Sequence, residues 1–592
     1  MLDLEFDRAT LHRAYASGLG PGAVVDVALN RVVAADDPGI FLHVAAAEAL
    51  HAAAQALPPF DPAALPLWGL PVAVKDNIDV RLMPTTCACP AFAYLPDDDA
   101  PAVARLREAG AIIVGKTNLD QFATGLVGVR TPYPVPRNAL DPAIVPGGSS
   151  SGSAVAVARG LVTLALGTDT AGSGRVPAAL NGIVGLKPSL GAISTRGVVP
   201  ACRTLDCVSV FAATVADAWS AYAVLARYDE GDPYARPRAA SRAWTTMPTV
   251  MRIGVPNAAS RRFFGDDLQA AAFASVMTKL EELGIDAVPI DFSPFYQTAA
   301  LLYEGAWVAE RYATVESFLK EHSEALHPTT ATIIEPGRNL TAVEAFRGHY
   351  RLEELRRTVA IAIAGLDALM VPSIPRFVTV AEVLEDPIGP NSQLGTYTNF
   401  VNLLDLCGMT VPTAPRTDGR PGSVTLLARG GEDGRLLPLA TRLSETSGAD
   451  GHVDAAVARA GPDEVELAVV GAHMTGMALN GELAAVNARL LRTARTKPSY
   501  RLYALCGMPA RPGLLRHSGG AAIEVEVWAM SPVAFGTLVA DIAAPLGIGR
   551  IDLDDGTQPS GFLVEAAAVA EAPDITQHGG WRAYMAEVTA DT

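Results

Sequence analysis

Pro146-Gly147-Gly148-Ser149-Ser150-Ser151-Gly152-Ser153 and, shortly after it, Gly167-Thr168-Asp169-Thr170-Ala171-Gly172-Ser173-Gly174-Arg175 decide how this chain is read. A bare Gly/Ser run is usually a flexible linker. The surroundings argue against one here. The run leads into Ala154-Val155-Ala156-Val157-Ala158, a good helix start, and then into Val162-Thr163-Leu164-Ala165-Leu166, which reads as a buried strand. A linker does not feed directly into a helix and a core strand. A catalytic loop does, because a rigid scaffold has to hold backbone that approaches a ligand closely. Ser149 and Ser173 stand 24 residues apart, each in a glycine-rich turn.

Upstream, Leu70–Val74 reads as a short apolar strand with Lys75 at its carboxyl end and an Asp76-Asn77 turn after it. A helix is expected over Val103–Ala109, a strand over Ala111–Val114, and a helix starting in Asn118–Phe122. This β-α-β-α alternation runs on through Ser189. It predicts an α/β fold, a mixed, largely parallel central sheet with helices on both faces, in which function gathers where strands end. Residues 8–58 show helical spacing and read as an α-helical lead-in, stopped by Pro58, Pro59, Pro62 and Pro66. Residues 214–330 are expected to be mostly helical apart from the strand Met251–Pro256. Leu301–Phe318 is expected as one helix carrying Tyr303, Trp307 and Arg311, with positions 303 and 311 roughly on one face.

The polar break Ser447-Gly448-Ala449-Asp450-Gly451-His452 marks a change of organisation. The expected domains are residues 1–446, a linker over 447–464, and a smaller α+β domain over 465–592. In the last part, Tyr500–Leu505 and Ala522–Trp528 alternate with period two, as half-buried strands do. A chain of 592 residues is too long for one core, which agrees with two domains. The net charge of −17 argues against nucleic acid or an anionic membrane as partner, though not against a small anion held by a local arginine. No apolar run reaches the roughly 18 residues of a membrane span. The six cysteines lack the pairing or histidine partners of a metal site and read as reduced thiols of a cytoplasmic protein.

A serine hydroxyl needs a base before it attacks. No histidine lies near either serine in the sequence, but a buried, neutral lysine serves, because burial disfavours its charged form. Lys75, the Gly148-Ser149 turn and the Gly167–Ser173 turn together resemble the amidase signature family, from about residue 65 to 210 and more loosely to about 440. The resemblance implies an amide-bond hydrolase working without metal or organic cofactor. Ser173 would be the nucleophile, Ser149 the bridging serine on a cis peptide, and Lys75 the base. Backbone N–H groups of Thr170, Ala171, Gly172 and Ser173 would form the oxyanion hole.

Tyr303-Glu304-Gly305-Ala306-Trp307-Val308-Ala309-Glu310-Arg311, with Gly471-Ala472-His473-Met474-Thr475-Gly476 further on, resembles the allophanate hydrolases within that family. By that resemblance Arg311 and Tyr303 hold the carboxylate and carbonyl of allophanate, and Gly125 lines the same pocket. The implied reaction releases ammonia and leaves N-carboxycarbamate. The C-terminal domain then assists its decarboxylation, with His473 as candidate acid/base; the other reading of His473 is a turn cap in a domain serving assembly. Implied partners are a urea carboxylase or a biuret hydrolase as suppliers and a second copy in a homodimer. The alternatives are an amidotransferase A-type chain releasing ammonia from glutamine, which leaves residues 465–592 unexplained, or another small-amide amidase.

Overall fold

The computed structural model describes residues 4–237, 241–444, 459–461, 463–486 and 488–590. Most of the break expected over 447–464 lies outside the described residues. The larger sheet comprises β1 (Phe41–Val44), β2 (Pro71–Lys75), β3 (Ile112–Thr117), β4 (Leu164–Asp169), β5 (Val184–Lys187), β6 (Cys207–Ala212), β7 (Arg252–Pro256), β8 (Asp286–Ile290), β9 (Ala368–Pro372), β10 (Leu406–Thr413) and β11 (Gly422–Arg429). Their spatial order is β1-β3-β2-β4-β6-β5-β10-β11-β9-β7-β8.

The sheet is mixed, as the alternation predicts, but less parallel than expected. Parallel pairing is confined to two wings, β3-β2-β4 and β9-β7-β8. Every pairing between the wings is antiparallel. The reason lies in β6. Its apolar run Cys207-Val208-Ser209-Val210-Phe211-Ala212 inserts between β4 and β5, the two strands that a β-α-β reading would pair directly. The strands that carry the quoted motifs, β2 and β4, are buried at every position. They run side by side and in parallel, with Val74 opposite Leu166. Lys75 and Asp169 therefore end at the same edge of the sheet.

Three local expectations change. The lead-in is helix–helix–strand–helix, because Phe41–Val44 leaves the helical pattern and joins the sheet edge beside β3. No helix starts at Asn118; only a 3₁₀ turn forms over Gln121–Ala123, with Phe122 and Ala123 in the left-handed region. The helix expected over Leu301–Phe318 is two helices, Ser293–Glu304 and Ala306–His322. Gly305 separates them with φ −140° and ψ −155°, an extended conformation that no helix accommodates.

The C-terminal part has its own sheets. Five strands, β12 (Val465–Val469), β13 (Arg489–Arg495), β16 (Glu524–Met530), β17 (Leu546–Arg550) and β18 (Ser560–Val564), pair in the order β13-β16-β12-β18-β17. A separate hairpin joins β14 (Tyr500–Leu505) and β15 (Arg511–Arg516). β14 alternates at its start, but β16 is buried throughout Val525–Met530. Its two faces pack into separate clusters, Val525, Val527 and Ala529 into one and Trp528 and Met530 into the other, so both are covered. The two parts touch through Trp244, whose ring meets Trp528 edge-on at 5.4 Å.

Candidate functional site

The first half of the site is built where β2 ends. Lys75 is fully buried, and its Nζ donates to Ser149 Oγ and to Thr168 Oγ1, both at 2.7 Å. Burial lowers its pKa to about 7, although the carboxylates of Asp120, Asp206 and Asp169 pull the other way. Lysine thus exists substantially as the free amine near neutrality. The Gly148-Ser149 peptide is cis. Ser149 is held from behind, since its carbonyl accepts from the Asp120 N–H at 3.0 Å. Asp120 in turn accepts from the N–H groups of Gly128 and Arg130. Gly148 and Gly125 both press on Asp120: a Cβ at either would lie 2.0 or 2.4 Å from its Oδ2. Of the neighbouring serines, Ser150 Oγ donates to the Thr168 carbonyl and Ser151 Oγ to that of Asn118.

The second half is the turn after β4. Asp169 and Arg175 form a fully buried two-point pair, Nε to Oδ2 at 2.9 Å and Nη2 to Oδ1 at 2.8 Å. Burial alone would raise the Asp169 pKa; the Arg175 guanidinium overrides it and holds the carboxyl below its ordinary value. This pair clamps the base of the loop, and Asn402 ties the Asp169 and Leu205 carbonyls together at 2.8 Å each. Thr170 Oγ1 donates to Asp206, whose own pKa burial pushes up to about 6. Gly172 has φ +146°, and a Cβ there would fall 2.4 Å from Thr398 Oγ1. The backbone N–H groups of Thr170, Ala171, Gly172 and Ser173 make no hydrogen bond among the described residues, although all four residues are buried. Such a row of free donors is what a developing oxyanion requires. Ser173 itself is 3% exposed. Its hydroxyl makes no hydrogen bond among the described residues, so Lys75 and Ser149 are joined while the link from Ser149 to Ser173 is not made in this structure.

Tyr303 and Arg311 sit on different helices, yet the break at Gly305 still brings them together, with the Arg311 guanidinium carbon 5.4 Å from the Tyr303 ring centre. Arg311 is 2% exposed, and its Nε and Nη1 have no hydrogen-bond partner. A buried guanidinium left with free donors is costly unless an anion meets it. Gly125 follows Thr124, whose carbonyl accepts from Arg130 Nη1 at 3.0 Å. His473 lies apart from all of these, in the C-terminal domain, where its Nε2 contacts Glu482 Oε2 at 2.9 Å and its ring stacks on Phe562.

Sequence reasoning missed Thr168, Asp120, Asp206, Arg130 and Thr398. Thr168 stands inside the quoted turn, next to Asp169, and its hydroxyl was legible as a second partner for Lys75. The other four lie well outside the two turns, and no local pattern marks them.

The sequence matches the amidase family over residues 23–437 and the allophanate hydrolase C-terminal domain over residues 465–586. The chain belongs to the amidase family. It is 43% identical to the urea amidolyase of Saccharomyces cerevisiae over 88% of its own length, and it spans 30% of that longer relative. It is 33% identical to the A-type chain of the glutamyl-tRNA(Gln) amidotransferase of Symbiobacterium thermophilum, over 73% of this chain and 95% of that one. Among solved structures it resembles the allophanate hydrolase of Kluyveromyces lactis, with 37% identity, a TM-score of 0.77, and coverage of 99% of this chain and 100% of the other. The likeness therefore takes in the C-terminal domain, which lies beyond the part shared with the amidotransferase chain.

Proposed function

We propose that this protein hydrolyses allophanate, the carboxylate of urea, and that its C-terminal domain completes the breakdown. The carrying observation is Arg311, a buried guanidinium with two unsatisfied groups beside Tyr303. A glutamine or simple amide brings no carboxylate of that kind next to the scissile amide, whereas allophanate does. The likeness to an allophanate hydrolase and to urea amidolyases supports the same reading.

In the proposed mechanism neutral Lys75 takes a proton from Ser149 as Ser149 takes one from Ser173. Ser173 Oγ adds to the terminal carbamoyl carbon, and the free N–H groups of residues 170–173 receive the negative oxygen. The proton returns to the leaving nitrogen and ammonia departs. Water, deprotonated by the same relay, releases N-carboxycarbamate from Ser173. Its dianion takes one proton on nitrogen as a C–N bond breaks toward that nitrogen, giving CO₂ and carbamate; His473 is the proposed proton source. Carbamate and a further proton give a second ammonia and CO₂. We place the step in urea breakdown, supplied by a urea carboxylase, and in a cytoplasmic homodimer. The five buried free cysteines suit a reducing compartment.

The test is ammonia release by the purified chain from allophanate, glutamine, acetamide and urea. Allophanate is expected to be turned over at least about a hundredfold more efficiently than the others, the discrimination a buried polar group left unpaired can supply. Comparable turnover of glutamine overturns the assignment in favour of an amidotransferase-type activity.

A further inference from the structure

The C-terminal domain holds a cavity of about 360 Å³ lined in part by His473, the proposed proton source for decarboxylation. Its walls are largely apolar, including Val469, Leu479, Leu538 and Phe562, and its polar side chains are His473, Glu482, Arg511, Thr537 and Asp541. His473 uses Nε2 on Glu482, and its ring lies flat on Phe562, 3° from parallel. Nδ1 makes no hydrogen bond among the described residues and is the ring atom left to meet a ligand.

Arg511 opens β15, and two features set it apart. First, its guanidinium has no ion pair or hydrogen bond among the described residues. The neighbouring arginines of the domain behave otherwise: Arg489 pairs with Glu464, Arg492 with Asp555, Arg516 with Asp552 and Arg582 with Glu526. Second, its position relative to His473 is fixed by close backbone packing. A Cβ on Gly471 would fall 2.1 Å from Cγ of Pro512, so only glycine lets the turn bearing His473 lie against the strand start bearing Arg511. A cavity with apolar walls and a few convergent polar groups is the ordinary form of a small-molecule site, and a half-buried unpaired arginine suits a planar carboxylate.

We infer that Arg511 is the carboxylate anchor of this cavity, binding one end of a compact dicarboxylate whose other end hydrogen-bonds His473 Nδ1. The inference rests on the reading of the domain as the consumer of N-carboxycarbamate. Two acids share the wall. Glu482 is tied to His473, and Asp541, exposed after the helix Pro532–Ala540, adds a negative charge that Arg511 offsets for an anionic ligand.

Malonate is the stable probe, with CH₂ in place of the NH of N-carboxycarbamate. The full chain carrying Arg311→Met, which removes the anion grip of the amidase cleft, is titrated with ¹³C-malonate. One saturable site is expected. Adding Arg511→Met should weaken it at least tenfold, and adding Arg511→Lys should weaken it less. No malonate site in the Arg311→Met chain, or equal affinity in all three chains, overturns the inference. If the methionine variant loses its near-ultraviolet circular dichroism, the lysine variant decides alone, and unchanged affinity there counts against the anchor. His473→Ala in the otherwise unaltered chain separates the two ideas. CO₂ release as fast as in the parent would sink the decarboxylation reading, while a malonate site dependent on Arg511 would leave the anchor standing.

Discussion

The two groups that the proposed mechanism uses to move protons, Lys75 and His473, are housed in opposite ways. Lys75 is sealed in the largest sheet at 0% exposure, with two hydroxyls at 2.7 Å. His473 keeps 16% of its side chain exposed, and its partner Glu482 keeps 54%. The difference follows from the side chains. A lysine is protonated near neutrality unless burial drives the proton off, so a lysine base needs a core around it. A histidine needs no such burial to serve, and a partly exposed site is enough. Lys75 is thus part of the fold's interior, whereas His473 lines a cavity that leaves it partly exposed.

The largest effect is expected at Ser173, the proposed nucleophile. Ser173→Ala should lower ammonia release by about 10⁴-fold or more while the thermal melt is kept, because the relay fails as a unit. Activity within about tenfold of the parent would remove Ser173 from the mechanism. Next comes the anion pocket: Arg311→Met should cost about 10²- to 10³-fold in kcat/KM, with Arg311→Lys intermediate, since a planar two-point contact is lost in each. Burial disfavours the Arg311 charge, yet the groups around it, Asp206 and Glu310 among them, outweigh that, so the melting temperature should change little; a large fall in both activity and melting temperature would make Arg311 a structural residue.

The sealed lysine gives a pH signature of its own. Its folded pKa is about 7 against an ordinary 10.5. Between those values the unfolded chain carries a proton that the folded chain lacks, so this group's contribution to stability grows as pH rises from 7 toward 10.5 and is least below 7. Lys75→Met should therefore melt higher than the parent at pH 7, by a margin that shrinks toward pH 10. In the parent, kcat/KM should rise about tenfold per unit below pH 7 and level above it. A profile flat from about pH 6 to 9, or a Lys75→Met margin that does not change with pH, would argue against a neutral lysine.

Much of this was legible before any coordinates. Lys75 at a strand end, Ser149 and Ser173 in glycine turns, and a separate C-terminal domain all follow from local pattern, because each is encoded within a few residues. What stayed hidden depends on the whole chain. β6 splitting β4 from β5 is a matter of sheet assembly and made the sheet less parallel than the alternation suggested. Asp120 behind the cis serine, and Thr398 against Gly172, act across long sequence separations that no motif records. Tyr303 and Arg311 are instructive in another way. Helical spacing places them roughly on one face, yet in the fold they stand on two helices either side of Gly305 and still meet.

The smallest effect is expected at Glu482, the exposed partner of His473. Glu482→Gln keeps the shape of the Glu482 side chain and removes the charge that faces His473 Nε2 at 2.9 Å. Glu482 is more than half exposed, and exposed ion pairs are worth little. CO₂ release should therefore slow only about two- to fivefold, and stability should change by less than about 0.5 kcal/mol. An equivalent loss of charge around Lys75, by Asp120→Asn, should matter far more, because that carboxylate is fully buried and holds two backbone N–H groups behind Ser149. If both substitutions cost the same, burial is not what separates the sealed lysine from the partly exposed histidine.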